Sequence, residues 1–356
     1  MIRPRYLPVL AAAVLPLLAV TACGGGSDDS AAASGSGECK DVTLRLSHQW
    51  PEASGEDGDF RSLVAQKFAD AVEEKTDGSL KVQIYPNSSL ADSTEQYDVM
   101  QQGAIDMSVF PLDYASGRVP EFSITLMPAL VRSHAQAQAW KDAEIGKRVE
   151  EIMDENGSKP VVWIWNAGAV GVKGDPIVAP DDVRSGMTMR AAGTYVEQML
   201  KDAGAGITSL PSSEIYTAMQ TGVLDAAVTS TGSFASYNLQ EQVDSFTSPS
   251  QNTFWFMFEP LIISNESYDK LCSEQQDAVM AVGEELQDFA YTASEEDDAR
   301  VEKVFSDAGV EVVQMDDAAF GEWETLAEKQ WDKFASSVDG GQELLDLAKD
   351  VDASAS

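Results

Sequence analysis

Arg190 closes a short alternating run, Met187-Thr188-Met189-Arg190. Ala191, Ala192 and Gly193 follow, and then Thr194 and Glu197 stand at the spacing of a capping box. A half-buried strand therefore hands a guanidinium to the gap between its own C-terminal end and a helix N-terminus. Open α/β sheets hold ligands at that place, and a helix N-terminus there favours an anion. On these residues alone a second reading stands beside the first. Arg190 could be a structural arginine paired with one of the chain's many carboxylates.

Catalytic patterns are absent from the sequence. The two histidines, His48 and His134, are isolated and form no metal-spaced cluster. No Gly-x-Ser-x-Gly elbow occurs, and no motif marks an acidic pair for acid–base work. The expectation is a binding protein with no catalytic residues, no cofactor and no metal. With 59 acidic against 24 basic side chains and a formal charge of −35, nucleic acid is disfavoured as a partner. Electrostatic docking onto anionic lipid is disfavoured too. Any anion site must rest on local cations.

The N-terminus reads as a signal peptide over residues 1–22. Arg3 and Arg5 precede an apolar run over residues 7–20. The run is short and broken by Pro16, which argues against a membrane span. Val20-Thr21-Ala22-Cys23 resembles the bacterial lipobox, and that likeness implies cleavage before Cys23 and lipidation of its thiol. An ordinary secretory signal with an incidental cysteine is the alternative. The Gly/Ser-rich stretch that follows makes residues 23–40 a lipid-bearing, flexible tether with a reach of roughly 20–25 Å. The body is expected from Asp41 to Ala348, with 349–356 a disordered tail. Two further cysteines, Cys39 and Cys272, either pair or stay free.

Two segments repeat. Ser93, Glu95, Tyr97, Met100, Gln101, Gly103, Asp106 and Val109 recur in type and spacing as Ser212, Glu214, Tyr216, Met219, Gln220, Gly222, Asp225 and Val228, 119 residues on. Each copy reads as a capped helix, a glycine stop and a buried strand. A helix with Phe60, Leu63, Val64, Phe68 and Val72 on one face lies between alternating strands at 42–46 and 80–84. The order of elements predicts α/β architecture with mostly parallel sheets in two similar lobes. The cleft between them would be lined by the loops after the repeated strands, residues 110–117 and 229–236, and by the loop after the first strand. These loops put Asp113 and Tyr114 at the cleft. The acidic helices near the C-terminus would brace the lobes, with Phe320, Trp323 and Trp331 as packing residues.

Residues 186–226 resemble the solute-binding proteins of tripartite ATP-independent periplasmic (TRAP) transporters. Gly186, Arg190, Pro211, Ser213, Glu214, Tyr216, Ala218, Gln220, Gly222 and Asp225 carry the likeness, which extends over about 41–335. It implies a two-lobed, type II-like periplasmic-binding-protein fold with a hinge. Lobe I would comprise 41–164 with 257–296, and lobe II 165–256 with 297–348. The hinge would lie near 163–168 and 254–258. The likeness also implies that Arg190 binds a substrate carboxylate with its planar fork, and that Cys39 and Cys272 form a disulfide in lobe I. The further binding candidates are Thr229 at the family's asparagine position, Ser212 in place of a phenylalanine, Asn166, Gly193, His48, Trp50 and Phe256. Trp50 and Phe256 have core packing as an equal or better reading. Val170 stands near the place of a second family arginine, and Lys173 is out of register. A pocket with fewer cations favours a monocarboxylate or an uncommon acid over a dicarboxylate.

The implied function is capture of a small organic acid by a lipoprotein on the outer face of the cell membrane, for delivery to TRAP membrane subunits. The alternatives are a binding component of an ATP-driven importer or of a sensor system, and, further off, a secreted hydrolase.

Overall fold

The duplicated unit folds the same way twice. In the computed structural model, which describes residues 39–351 apart from Ser54, Glu56 and Asp57, the first copy forms a helix over Gln96–Gln101 and the second over Ile215–Gln220. Gly103 and Gly222 end these helices at φ 73° and 76°, a left-handed turn that costs glycine nothing. The side-chain caps expected at the two N-termini are missing, and both helices start from glutamates in helical conformation.

Twelve strands are present among the described residues. The first four are β1 (Val42–Ser47), β2 (Leu80–Tyr85), β3 (Met107–Val109) and β4 (Ser158–Val162). Next come β5 (Trp165–Val172), β6 (Thr188–Arg190), β7 (Gly206–Ile207) and β8 (Ala226–Ser230). The last are β9 (Ser245–Ser248), β10 (Phe256–Phe258), β11 (Leu261–Ser264) and β12 (Glu311–Gln314). One sheet has the order β2-β1-β3-β11-β4, and the other β12-β9-β5-β8-β6-β7 with β10 paired to β5.

The sheets are mixed, not mostly parallel. The strand–helix–strand units give parallel pairs, β1 with β2 and β3, and β8 with β6. Each sheet also takes in a strand from a chain that has just crossed between lobes. Such a strand arrives from the far side, so β11 and β5 run antiparallel to both their neighbours.

The crossings are short. Trp163 and Ile164 link β4 to β5, and Glu259 and Pro260 link β10 to β11. β10 also pairs with β5, Phe256 opposite Ala167 and Phe258 opposite Trp165. A third crossing is the helix Gln287–Asp307, which packs on helices of both lobes and on β5, β9 and β12. A lobe boundary at 296/297 falls inside this helix.

The C-terminal helices brace the lobes. Asp317–Ser337 packs on the lobe II helix Thr194–Asp202, and Gly341–Lys349 packs on the lobe I helix Glu144–Glu155. Phe320, Trp323 and Trp331 are buried packing residues. The indole N–H groups donate to the carbonyls of Val178 (Trp323, 2.8 Å) and Pro128 (Trp331, 2.9 Å). The packed chain does not stop at Ala348. Leu344, Leu345 and Ala348 form an apolar stripe that continues to Val351, which is buried. The tail expected over 349–356 therefore begins no earlier than residue 352, and residues 352–356 lie outside the described ones.

Cys39 is joined to Cys272 across a Cα–Cα distance of 5.7 Å. Cys272 precedes the helix Ser273–Glu285, which packs on β4 and on the helix Phe60–Lys75, so the bridge lies on lobe I. The signal peptide, Cys23 and the tether as far as Glu38 lie outside the described residues. No helix among those described is long and apolar enough to cross a membrane.

Candidate functional site

β6 carries Arg190 into the middle of lobe II, between β8 and β7. The side chain is 1% exposed. Nε donates to the Leu210 carbonyl (2.9 Å), Nη1 to the Val228 carbonyl (2.9 Å) and Nη2 to the Tyr114 hydroxyl (3.0 Å). All three acceptors are neutral. Arg190 forms no ion pair among the described residues, although the chain is strongly acidic. A desolvated cation without an anion is costly, and an anionic ligand removes that cost.

The guanidinium borders a cavity of about 380 Å3, lined also by Asp113, Tyr114, Gly193, Thr94 and Glu197. The loop after β6 ends in Gly193, which caps the helix Thr194–Asp202 at φ 86°. This corrects the capping-box reading, because Thr194 is the first helical residue and no side chain caps this end. Glu197 instead accepts from Ser209 Oγ at 2.5 Å. A Cβ at position 193 would come within 2.8 Å of Leu126 Cδ2 and 3.4 Å of Asp113 Oδ2, so glycine is required here for space as well as for conformation.

Lobe I supplies the opposite wall. The 3-10 turn Leu112–Ala115 presents Asp113 and Tyr114. The Tyr114 hydroxyl accepts from Arg190 and also from the Ser212 backbone N–H (3.3 Å). Ser212 Oγ in turn donates to Gln49 Oε1 at 3.2 Å, while buried Gln49 Nε2 has no protein partner. Asp113 is 4% exposed, and burial, with Glu197 nearby, pushes its carboxyl up to about 7. The structure thus brings Arg190, Asp113, Tyr114, Gly193 and Ser212 to one place.

His48, Trp50 and Asn166 belong to a neighbouring buried cluster centred on Arg61. Arg61 Nη2 and Nε hold Asp59 at 2.6 and 3.0 Å, and Nη1 holds Glu259 Oε2 at 2.7 Å. Nη1 also reaches Ser230 Oγ of lobe II at 3.0 Å. Burial alone would lower the Arg61 pKa, but the two carboxylates hold it above its usual value. Trp50 lies under this guanidinium, 4.0 Å from ring centroid to Cζ, and its indole N–H donates to Ser233 Oγ at 3.3 Å. One face of its ring is therefore taken by Arg61. His48 stacks against Trp50 with centroids 6.1 Å apart, and burial lowers its pKa to about 4, below its ordinary range. Asn166 Nδ2 donates to Glu259 Oε2 at 2.7 Å.

The two buried arginines differ in one decisive respect. Arg61 is saturated by two carboxylates of the protein, and Arg190 by none. Thr229 lies between them along β8. The Val228 carbonyl before it takes Arg190, and the Ser230 hydroxyl after it takes Arg61.

Phe256 is elsewhere. It lines a separate cavity of about 360 Å3 with His134 and Asp298, and meets the His134 ring edge-on at 5.3 Å. Val170 is buried opposite Val228, and Lys173 Nζ is used up on the Met219 carbonyl. Neither puts a second cation beside Arg190.

Sequence reasoning missed Arg61, Asp59 and Glu259. Two signals were present. Arg61 occupies a helix's first turn, where its charge opposes the helix dipole, and Glu259 interrupts the largely apolar stretch 254–263.

Residues 50–337 match the family described as bacterial extracellular solute-binding protein, family 7 (DctP). A solute-binding protein of Albidiferax ferrireducens is 42% identical over 307 residues, covering 86% of this chain and 90% of its own. The 2,3-diketo-L-gulonate-binding periplasmic protein of Escherichia coli is 26% identical over 299 residues, 82% of this chain and 88% of its own. Among solved structures, a TRAP periplasmic solute-binding protein from Rhodoferax ferrireducens with bound malonate superposes with a TM-score of 0.84 at 42% identity, over 86% of this chain and 98% of that one. The two-sheet fold, the enclosed arginine and this match over most of the chain agree, and the chain belongs to the family 7 extracellular solute-binding proteins, the solute receptors of TRAP transporters.

Proposed function

We propose that this receptor closes its lobes on a small organic acid, with Arg190 as the carboxylate anchor, and delivers it to TRAP membrane subunits while a lipid on Cys23 holds it to the outer face of the cell membrane. One observation carries the ligand class: a guanidinium buried in the cleft whose acceptors are all neutral. The malonate bound by the Rhodoferax ferrireducens relative supports a small carboxylate of similar size. Among the described residues no second cation lines the Arg190 cavity, which favours one carboxylate on the ligand rather than two.

Calorimetry with a panel of small mono- and dicarboxylates tests the anchor. Arg190→Ala should remove about 2–5 kcal/mol of affinity for any acid that binds. Arg190→Lys should restore only part, because the bidentate fork is lost. Near wild-type affinity in the alanine variant would refute the assignment. Recovery of the bound acid chemically unchanged after long incubation separates a receptor from a hydrolase. Mass spectrometry of detergent-extracted protein reads the lipid, and Cys23→Ser should release the protein from membranes.

A further inference from the structure

The walls of the Arg190 cavity carry a cation and an acidic group that the protein does not pair with each other. Arg190 stands on one side without an anion. Asp113 stands on the other, nine-tenths buried, with no hydrogen bond to its carboxylate and no ion pair among the described residues. Glu197, a second carboxylate that is occupied by Ser209, adds to the effect of burial on it. Leu126 and Gly193 pack beside it and offer no side-chain donor.

We infer that the acid held by Arg190 carries a protonated amine on the same short chain, and that Asp113 accepts this ammonium. The inference rests on Arg190 as the carboxylate anchor and narrows the ligand from an acid to a zwitterion. A second carboxylate placed here would face Asp113 and Glu197 together, and two like charges in a buried site repel strongly. An alkyl chain would leave Asp113 buried with nothing to satisfy it, which costs more than an exposed carboxyl does. An ammonium supplies the missing donor and the missing charge at once. The carboxyl that burial has pushed up to about 7 would then ionise as the ligand binds. Gly193 keeps the wall beside Asp113 free of a side chain.

The test is calorimetry on the mature wild-type protein at mildly alkaline pH. Matched acids differ in one group: 4-aminobutyrate, butyrate and succinate, and the shorter β-alanine, propionate and malonate. The ammonium acid of one length should bind about tenfold or more tighter than both its partners, a difference of about 1.4 kcal/mol. Asp113→Asn should collapse that preference. The wild-type series is decisive even where the variant folds poorly. Tighter binding of succinate or malonate, or equal binding of butyrate or propionate, overturns the zwitterion and leaves the Arg190 anchor standing. A preference that survives Asp113→Asn overturns the role of Asp113. Absence of binding by every acid overturns the inference together with the reading beneath it.

Discussion

Tyr114 of lobe I and Arg190 of lobe II are hydrogen-bonded to each other, with Nη2 donating to the tyrosine hydroxyl at 3.0 Å. The same hydroxyl accepts the Ser212 N–H. One oxygen therefore ties Arg190, the proposed anion anchor, to the opposite wall of the cavity that both residues line. In the proposed mechanism, lobe closure and ligand capture share this contact.

Tyr114→Phe keeps the ring and removes both bonds. A hydrogen bond to a charged group contributes about 1.5–3 kcal/mol, so the affinity for a bound acid should fall by roughly tenfold or more. Small-angle scattering should show the wild type contracting when ligand is added, and the variant needing more ligand to do so. An identical titration in both proteins would remove Tyr114 from the closing mechanism.

The Arg61 cluster should behave differently. Arg61→Met leaves Asp59 and Glu259 buried without a cation and should cost about 3–5 kcal/mol of stability. Adding Asp59→Asn and Glu259→Gln to that variant should recover a large part, because the loss comes from stranded charges. Urea unfolding reads both. A triple variant as unstable as the single one would show that packing over Trp50, and not charge, is what Arg61 contributes.

The lobes were legible in the sequence because the repeat is physical. Asp106 and Asp225 occupy the same place in the two copies, and each carboxylate accepts a backbone N–H of the adjacent parallel strand, from Arg45 and from Thr188, at 2.8 Å. A residue that fixes strand pairing leaves its mark at a constant spacing. The placement of Arg190 at a strand end just before a helix was legible from the local strand-to-helix pattern and from the family likeness. Thr194 misled because Thr-x-x-Glu spacing cannot reveal that Gly193 takes the capping position with its backbone. Phe256 misled for another reason. A residue in a crossing strand can face either of two cavities, and the facing is decided by pairing with Ala167, far off in sequence. The end of the body was misplaced by three residues because acidic residues surround Val351, although the apolar stripe from Leu344 reaches it.

The Cys39–Cys272 bridge spans 233 positions. In the chain-entropy picture a loop of that length stabilises by up to roughly 5 kcal/mol, and real bridges often give less. Cys39→Ser should lower the unfolding midpoint without changing acid affinity, since the bridge lies on lobe I away from the cavity. Mass spectrometry of alkylated, non-reduced protein checks the bond itself. Two labelled thiols in the body would show the pair to be free.

Stability should depend on pH with opposite signs at two residues. Asp113 holds its proton to about 7 when folded, whereas an unfolded aspartate releases it near 4. The native state binds the extra proton across that window, so stability falls as pH rises from about 4 to about 7, by up to a few kcal/mol. His48 is the reverse. Its folded value is about 4 against an ordinary 6.5, so stability is lost as pH falls from 6.5 towards 4. Urea midpoints for Asp113→Asn should drop less than wild type between pH 5 and pH 8, and those for His48→Gln less between pH 7 and pH 5. Parallel curves for all three proteins would deny both effects.

β5 and β10 cross between the lobes side by side, with Phe256, Met257 and Phe258 in register on Ala167, Asn166 and Trp165. Two crossing strands clamped by a ladder resist sliding past each other, because a slip of one residue would turn every buried side chain to the wrong face. What remains is flexure across the ribbon. The proposed closure would then be that of a leaf spring with one soft direction, its open and closed forms lying along a single arc. A ligand that satisfies both walls of the cavity need only hold that spring at one end of its travel.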